Sequence, residues 1–338
     1  MRVGDYLSGL VPRGILALLV PAGAWASSPV TPAPESPAIL IRVPVAPSSD
    51  APGQPVSSWL EAQIALARTG ISCGPIDGVG GPQSVAALQA FQESRDLPAT
   101  GVLDEMTKAR LGLTAPAMTQ VTLTKDDLAR LQPLSPTWLG KSQQTALDYE
   151  TALELVAERA HASQALIRQL NPAVDWAGGP PVGTILTVPA AGRMKPPAAA
   201  AHLHIYLAAH VLEARDADGG LIAHFPVSIA RMAEKRPEGE LHVTVVISHP
   251  NYTFDPDVLP ESAEGRDLGR KLVIPPGPNN PVGVAWVGLD RPGYGIHGTP
   301  VPEQVGRTES HGCFRLANWD ALALLDLAWV GLPVVVDP

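Results

Sequence analysis

The sequence predicts a multidomain chain, a small three-helix bundle followed by a mainly β domain. Three observations carry this. Residues 57–113 place apolar side chains at helical spacing in three short runs. From His202 to Val336, short runs alternate or are rich in β-branched residues, with one helical period after Asn318. Between and before these regions lie Pro-, Ala- and polar-rich stretches with no sustained period. A length of 338 residues allows two or three domains.

Within 57–113, Ser57 or Ser58 is placed to cap a helix that carries Leu60, Ile64 and Ala67 on one face, and Gly70 is its stop. Asp77-Gly78 signals a turn. A second helix starts at Pro82 and lines up Val85, Leu88 and Phe91. Asp104 caps a short third helix that ends at Leu111-Gly112. Residues 114–148 read as a polar connection. Residues 149–189 read as helix, helix, loop and short strand, with Leu153, Val156 and Ala157, then Leu166, Ile167 and Leu170, at helical spacing before Asn171-Pro172. In the last region, residues 200–338, strands are expected at His202–Leu207, Ile222–Ile229, His242–Ser248, Val282–Leu289 and Pro333–Val336. Residues 250–275, rich in Pro and acidic residues, read as a loop over a groove or as a surface excursion.

The first 26 residues have the form of a signal peptide: Arg2 and Arg13 flank the apolar run Gly14–Ala24, and Ala24-Trp25-Ala26 is a small-x-small cleavage site. The run is about half of the ~20 residues that a membrane-spanning helix needs, so an exported protein without a transmembrane segment is expected. Residues 27–56, dominated by Pro, Ala and Ser, read as a linker stiffened toward polyproline II. The net charge of −9 argues against a nucleic-acid partner, which requires a basic face.

The two cysteines are Cys73 and Cys313. An even pair in an oxidising compartment invites a disulfide, but such a bond would tie together segments 240 positions apart and consume the more interesting thiol. Cys73 lies in the apolar turn Ile71–Ile76 and reads as a small buried thiol. Cys313 lies in Ser310-His311-Gly312-Cys313-Phe314-Arg315, and His297 stands 16 positions before it. A free thiol with a pKa of about 8.5 is a poor nucleophile near neutrality, and an imidazole in hydrogen-bond reach corrects this. From residue types alone three readings compete: a catalytic Cys/His pair, a metal site from His297, His311 and Cys313, and a buried structural thiol. The trio lacks a clear fourth ligand and no CxxC accompanies it, which weakens the zinc reading. Arg315 suits a substrate carboxylate, since its fork matches that group, or it braces the loop. Ser310 and His311 either meet substrate or hydrogen-bond the loop. The remaining histidines are scattered along strands and read as structural or exposed.

The longer pattern decides between these readings. Tyr294-Gly-Ile-His297-Gly-Thr299, Val305-Gly306-Arg307 and Ser310–Leu316, with Asn318 and Asp320-Ala321, closely resemble the L,D-transpeptidase (YkuD) family signature, preceded by the similar stretch Pro278–Gly283. The likeness covers roughly Ala201 to Val336, and Pro300 departs from it where many members carry Asn. It implies a mainly β, sandwich-like fold with an open groove. It also implies Cys313 as nucleophile, His297 as general base oriented through a backbone carbonyl or a small neighbour, here Gly298, and oxyanion donors around Gly312 and Cys313. Ser310, His311, Arg315 and Tyr294 become expected substrate contacts. No cofactor or metal is called for.

Gly74–Pro82, Ala87–Gln92 and Leu97–Gly101 resemble the peptidoglycan-binding domain 1 family, which implies binding of glycan or stem peptide. Residues 149–189 resemble the later two-thirds of a LysM module, with its first strand missing, so a spacer role competes with glycan binding there. Together these resemblances imply an exported peptidoglycan enzyme of the periplasm or cell wall. It would use a thioester acyl-enzyme to transfer a tetrapeptide stem, with loss of the terminal D-Ala, to a stem amine, a wall-anchored lipoprotein or water. Two alternatives stay open, a wall-binding scaffold and a stem-peptide hydrolase of the same fold.

Overall fold

The computed structural model describes residues 53–338 other than 193–195, 197–198, 260 and 309–311. The signal peptide expected at 1–26, and residues 27–52 of the linker expected at 27–56, lie outside the described residues. Among the described residues no helix is long and apolar enough to cross a membrane.

The N-terminal unit forms as its sequence dictates. Ser58 caps α1 (Trp59–Arg68) by accepting from Glu61 N–H, Pro82 opens α2 (Pro82–Glu93), and Asp104 caps α3 (Glu105–Leu111). Val56, Ala62, Ala65, Leu66, Leu88, Phe91 and Leu111 bury against one another. Two buried glutamines wire the loops. Gln63 bonds Asp77 and Gly78, while Gln92 bonds Gly101, Val102 and Thr107. The Asp-Gly and Phe-Gln landmarks of the sequence therefore hold the fold. Gln54 exchanges backbone bonds with Leu113, so the bundle begins earlier than residue 57.

Residues 114–148, read from sequence as a connection, fold into β1 (Met118–Thr122), α4 (Lys125–Ala129) and α5 (Trp138–Gln143). Then follow α6 (Ala152–Arg159), α7 (Gln164–Leu170) and β2 (Ile185–Pro189). β1 pairs antiparallel with β2, from Met118↔Pro189 to Thr122↔Ile185. The last strand of the 149–189 segment is thus paired with a strand from residues 114–148, and α4 and α5 lie between that strand and the two helices. Period-2 alternation in Met118–Thr122 is weak because none of its five residues is fully buried, so neither face demands an apolar set. This unit is fused to the bundle, since Ile64 and Ile76 share a buried core with Leu155, Val156, Ile167 and Val188.

The C-terminal domain is mainly β: β3 (His202–Tyr206), β4 (Val211–Arg215), β5 (Leu221–Pro226), β6 (Gly239–Ser248), β7 (Tyr252–Phe254), β8 (Leu272–Ile274), β9 (Ala285–Leu289), β10 (Gly295–His297), β11 (Phe314–Arg315) and β12 (Pro333–Asp337). α8 (Ala263–Leu268) lies between β7 and β8, and α9 (Asn318–Leu325) follows β11. Eight strands form one sheet in the order β11-β10-β9-β6-β12-β3-β4-β5. The ten-residue β6 is its corner. Gly239–His242 pair with β12, Val243–Ser248 pair with β9, and the register shifts at Val243/Val245. The two layers of the expected sandwich are halves of this one curled sheet, closed over Leu203, Ile205, Phe225, Val287, Ile296, Phe314 and Leu324. Curling brings the sheet's edges together, where Ser228 and Arg315 exchange backbone hydrogen bonds. The β5 edge is covered by Gly70–Ser72, whose backbone bonds that of His224.

Residues 250–275, expected as a loop or surface excursion, instead form the β7–β8 ladder and α8 over a small core of Leu147, Phe254, Leu272 and Ile274. Trp138 of α5 stacks on Phe254 at 4.5 Å, and both Glu264 carboxylate oxygens accept from the N-terminal amides of α5. This core draws on two distant segments, so neither one alone carries a readable apolar period.

Candidate active site

β10 and β11 pair in parallel, Ile296 opposite Phe314 and His297 opposite Arg315. Paired residues of neighbouring strands point to the same face and successive residues alternate. Ile296 and Phe314 enter the core, so His297 and Arg315 are directed to the other face. A 16-residue excursion between two short strands therefore returns Cys313, the residue before β11, to the side of the strand that carries His297.

His297 is buried, and its Nδ1 is 2.6 Å from the carbonyl oxygen of Gly298. That bond assigns the proton to Nδ1 and leaves Nε2 as the lone-pair nitrogen. Burial pushes the imidazole pKa down to about 4; the Gly298 carbonyl opposes this and the Arg315 charge adds to it. The thiol of Cys313 lies 3.5 Å from the carbonyl oxygen of Gly293. Burial raises its pKa, against the lowering effects of a Gly295 backbone hydrogen bond and of Arg315. At neutral pH the resting pair is thus a neutral thiol with a neutral imidazole.

Sheet neighbours set the imidazole plane. Trp286, opposite His297 on β9, stacks on it with centroids 5.6 Å apart and 19° between planes. The indole lies where Gly288 and Gly295, themselves cross-strand partners, carry no side chain. A Cβ on Gly295 would come within 2.5 Å of the indole, and one on Gly288 within 2.9 Å.

The carbonyl that holds His297 is itself held. Gly283 packs directly on Gly298, where an added Cβ would meet backbone at 2.6 Å, and Asn318 Oδ1 lies against both glycines. Asn318 accepts from Val284 N–H at 3.3 Å and donates to Pro278 O at 3.1 Å and to Glu158 Oε2 at 3.0 Å. Asn280, fully buried, donates to Pro275 O and accepts from Val282 N–H, which fixes the same turn.

Of the other residues expected from sequence, Tyr294 is partly buried with its ring 3.8 Å from where a Cβ on Gly312 would stand, so Gly312 opens onto the tyrosine. Arg315 faces Tyr252, whose pKa is raised first by burial and then by Cys313. It also lines a cleft of about 280 Å3 with Lys141, Asn279, Thr299, Gln304 and Thr308. Ser310 and His311 lie outside the described residues. Among the described residues no three His, Cys, Asp or Glu side chains gather as a metal site. Cys73 is buried and unbonded to Cys313, and burial pushes its thiol far up.

The loop before Cys313 is tethered twice from outside the domain and once from within it. Gln83 of α2 donates to Val305 O at 2.6 Å, Glu303 accepts from Gln164 N–H at the start of α7, and Ser228 Oγ accepts from Gly306 N–H. Ser228, Trp286, Tyr252 and Glu158 escape a sequence reading. Asn318 does not, because it sits in the long motif.

A thiol and a neutral imidazole on adjoining strand ends are the residue types that acyl transfer by a cysteine requires. Residues 200–336 match the family model described as "L,D-transpeptidase catalytic domain", and residues 56–111 match that described as "Putative peptidoglycan binding domain". The chain carries an L,D-transpeptidase catalytic domain of the YkuD family behind a peptidoglycan-binding domain. It is 34% identical over 118 residues to "Putative L,D-transpeptidase YqjB" of Bacillus subtilis, covering 33% of this chain and 57% of that protein. To "Putative L,D-transpeptidase YkuD" of Bacillus licheniformis it is 26% identical over 189 residues, covering 56% and 94%. The solved L,D-transpeptidase (residues 123–326) from Xylanimonas cellulosilytica aligns at 15% identity and TM-score 0.33, covering 87% of this chain and all of that one.

Proposed function

We propose that this chain is an exported peptidoglycan L,D-transpeptidase that works through a Cys313 thioester. The observation that supports this reading is the parallel β10–β11 pairing, which sets the residue before β11, Cys313, beside the strand of a neutral His297 whose Nδ1 is committed to Gly298. His297 Nε2 takes the thiol proton as Sγ attacks the carbonyl after the third residue of a tetrapeptide stem. Backbone N–H groups at Gly312 and Cys313 stabilise the oxyanion. Collapse breaks the peptide bond, and the imidazolium returns its proton to the departing D-Ala amine. An acceptor amine, from a second stem or a wall-anchored lipoprotein, then attacks the thioester, loses its proton to His297 and releases the thiol. The bond energy of the donor peptide drives the exchange, so no nucleotide is needed.

Arg315, two residues from Cys313, and Lys141 supply positive charge to the cleft that they line, which suits the carboxylates of a stem peptide. Tyr294, His311 and Ser310 would complete the donor site, and residues 56–111 would hold the enzyme on the wall. The test is incubation with a tetrapeptide stem and with a carbapenem, read by intact mass. A covalent adduct on Cys313 is expected with both, with release of D-Ala from the tetrapeptide and by ring opening with no leaving group from the carbapenem, and its absence with both reagents overturns the reading.

A further inference from the structure

Glu158 stands at the end of α6, outside both matched domains, yet its carboxyl reaches the centre of the turn that holds the catalytic histidine. One oxygen accepts from Asn318 Nδ2 at 3.0 Å, and the other is 3.1 Å from the Tyr149 hydroxyl. An asparagine amide is nearly symmetric in shape, and its flip is fixed only by its partners. Glu158 and Pro278 O accept both Nδ2 hydrogens, so Oδ1 is directed at Val284 N–H and at the paired glycines Gly283 and Gly298. The carbonyl of Gly298 then holds His297 Nδ1. The neighbouring turn of α6 repeats the device, since Glu154 Oε1 accepts from Asn279 Nδ2 at 2.6 Å. Leu147 bonds the same Pro276–Asn279 stretch through its backbone.

We propose that Glu158 is a positioning residue for His297, acting through the amide of Asn318 on the Gly283–Gly298 contact. The helical segment between the two matched domains is on this account a wall of the reaction centre as well as a spacer. The inference rests on the reading of His297 as the base. Loss of the Glu158 acceptor frees the Asn318 amide to turn its NH2 group toward Val284 N–H. Two donors then face each other, and the Gly298 carbonyl shifts with the glycine pair.

The experiment uses the full chain and the variants E158Q, E158M and Y149F. Three quantities are measured: the rate of Cys313 acylation by a carbapenem, the nitrogen resonances of the His297 imidazole (assigned with H297A), and the thermal midpoint. The side-chain amide introduced by E158Q still offers an oxygen to Asn318, so this variant should acylate as the wild type does. E158M should slow acylation about tenfold or more, the scale that a displacement of order 1 Å at a reacting group produces, and should shift the His297 resonances. Y149F removes the other partner of Glu158 and should leave both readouts in place. Should E158M fail to fold, E158D replaces it, because it withdraws the acid by one methylene. A folded E158M or E158D with wild-type acylation and unshifted His297 resonances overturns the proposal, as does equal damage from Y149F. A wild type that no donor acylates sinks the transpeptidase reading instead, and the imidazole resonances still decide the positioning role.

Discussion

Ser228 and Arg315 exchange two backbone hydrogen bonds, at 2.9 and 3.0 Å, and so close the curled sheet two residues from Cys313. The Ser228 hydroxyl also receives Gly306 N–H at 2.9 Å. One serine thereby fixes both the strand after the proposed nucleophile and the loop before it.

Ser228→Ala keeps the closure and removes the loop anchor. A stability loss of about 1 kcal/mol is expected, the usual net value of one hydrogen bond, with faster amide exchange confined to residues 300–308. Mass-resolved hydrogen exchange reads this directly. Unchanged exchange in that loop would show that Gln83 and Glu303 hold it without the serine.

Gly295→Ala places a methyl where the indole of Trp286 lies. Backbone leaves the methyl no alternative, so the ring must leave His297 or the strands must part. A cost of about 1–3 kcal/mol is expected for such overpacking, together with slower acylation. A double variant that also carries Trp286→Ala should regain stability without regaining the rate. Recovery of both would mean that the stack does not orient the imidazole.

These contacts show how far the sequence reaches. The caps Ser58 and Asp104, the breaks at Gly70 and Gly112, and most central strands are local facts of residue type and spacing, and they stand as expected. His297 and Cys313 are legible because their motif is contiguous. Ser228, Trp286 and Glu158 act across 87, 11 and 160 positions. Nothing in their immediate neighbours distinguishes them from ordinary strand or helix residues. The same holds for β1, whose partner β2 lies beyond four helices.

Stability should depend on pH in two opposed ways. His297 has a folded pKa of about 4, below its ordinary 6.5, so the unfolded chain binds the extra proton as pH falls through 6.5. Stability from this group is complete above that value and is lost toward pH 4, by up to about 3 kcal/mol at 1.36 kcal/mol per unit. Asp320 and Glu158 are pushed up to about 8 by burial, so the unfolded chain ionises first. Their contribution is complete at acid pH and is lost as pH rises toward 8. Asp320→Asn and E158Q should therefore flatten the fall in denaturant midpoint between about pH 4 and 8, and H297A should remove the opposing loss between pH 6.5 and 4. A midpoint indifferent to pH in the wild type would contradict both.

The two thiols should behave differently. Cys313→Ala should abolish the carbapenem adduct with the fold intact. Cys73→Ser should acylate normally but melt lower, because a hydroxyl replaces a thiol in the apolar cluster around Ile71 and Phe91. An adduct that survives in Cys313→Ala would remove Cys313 from its assigned role.

The last prediction separates a neutral pair from a preformed ion pair. Burial lowers the imidazole pKa and raises the thiol pKa, so neither group carries charge at rest near pH 7. Alkylation by iodoacetamide, which reports thiolate, should then be slow at neutral pH and climb toward alkaline pH. Acylation, in which His297 accepts the proton during attack, should instead reach its plateau once the imidazole loses its proton above about pH 4. His297→Ala should lower acylation by about 10²–10⁴-fold, the range of general-base assistance, and leave alkylation at high pH nearly as before. His311→Ala should cost less than His297→Ala. Fast alkylation at pH 6 that His297→Ala abolishes would establish a thiolate–imidazolium pair and overturn the neutral resting state. The reverse order of the two histidine variants would transfer the base to His311.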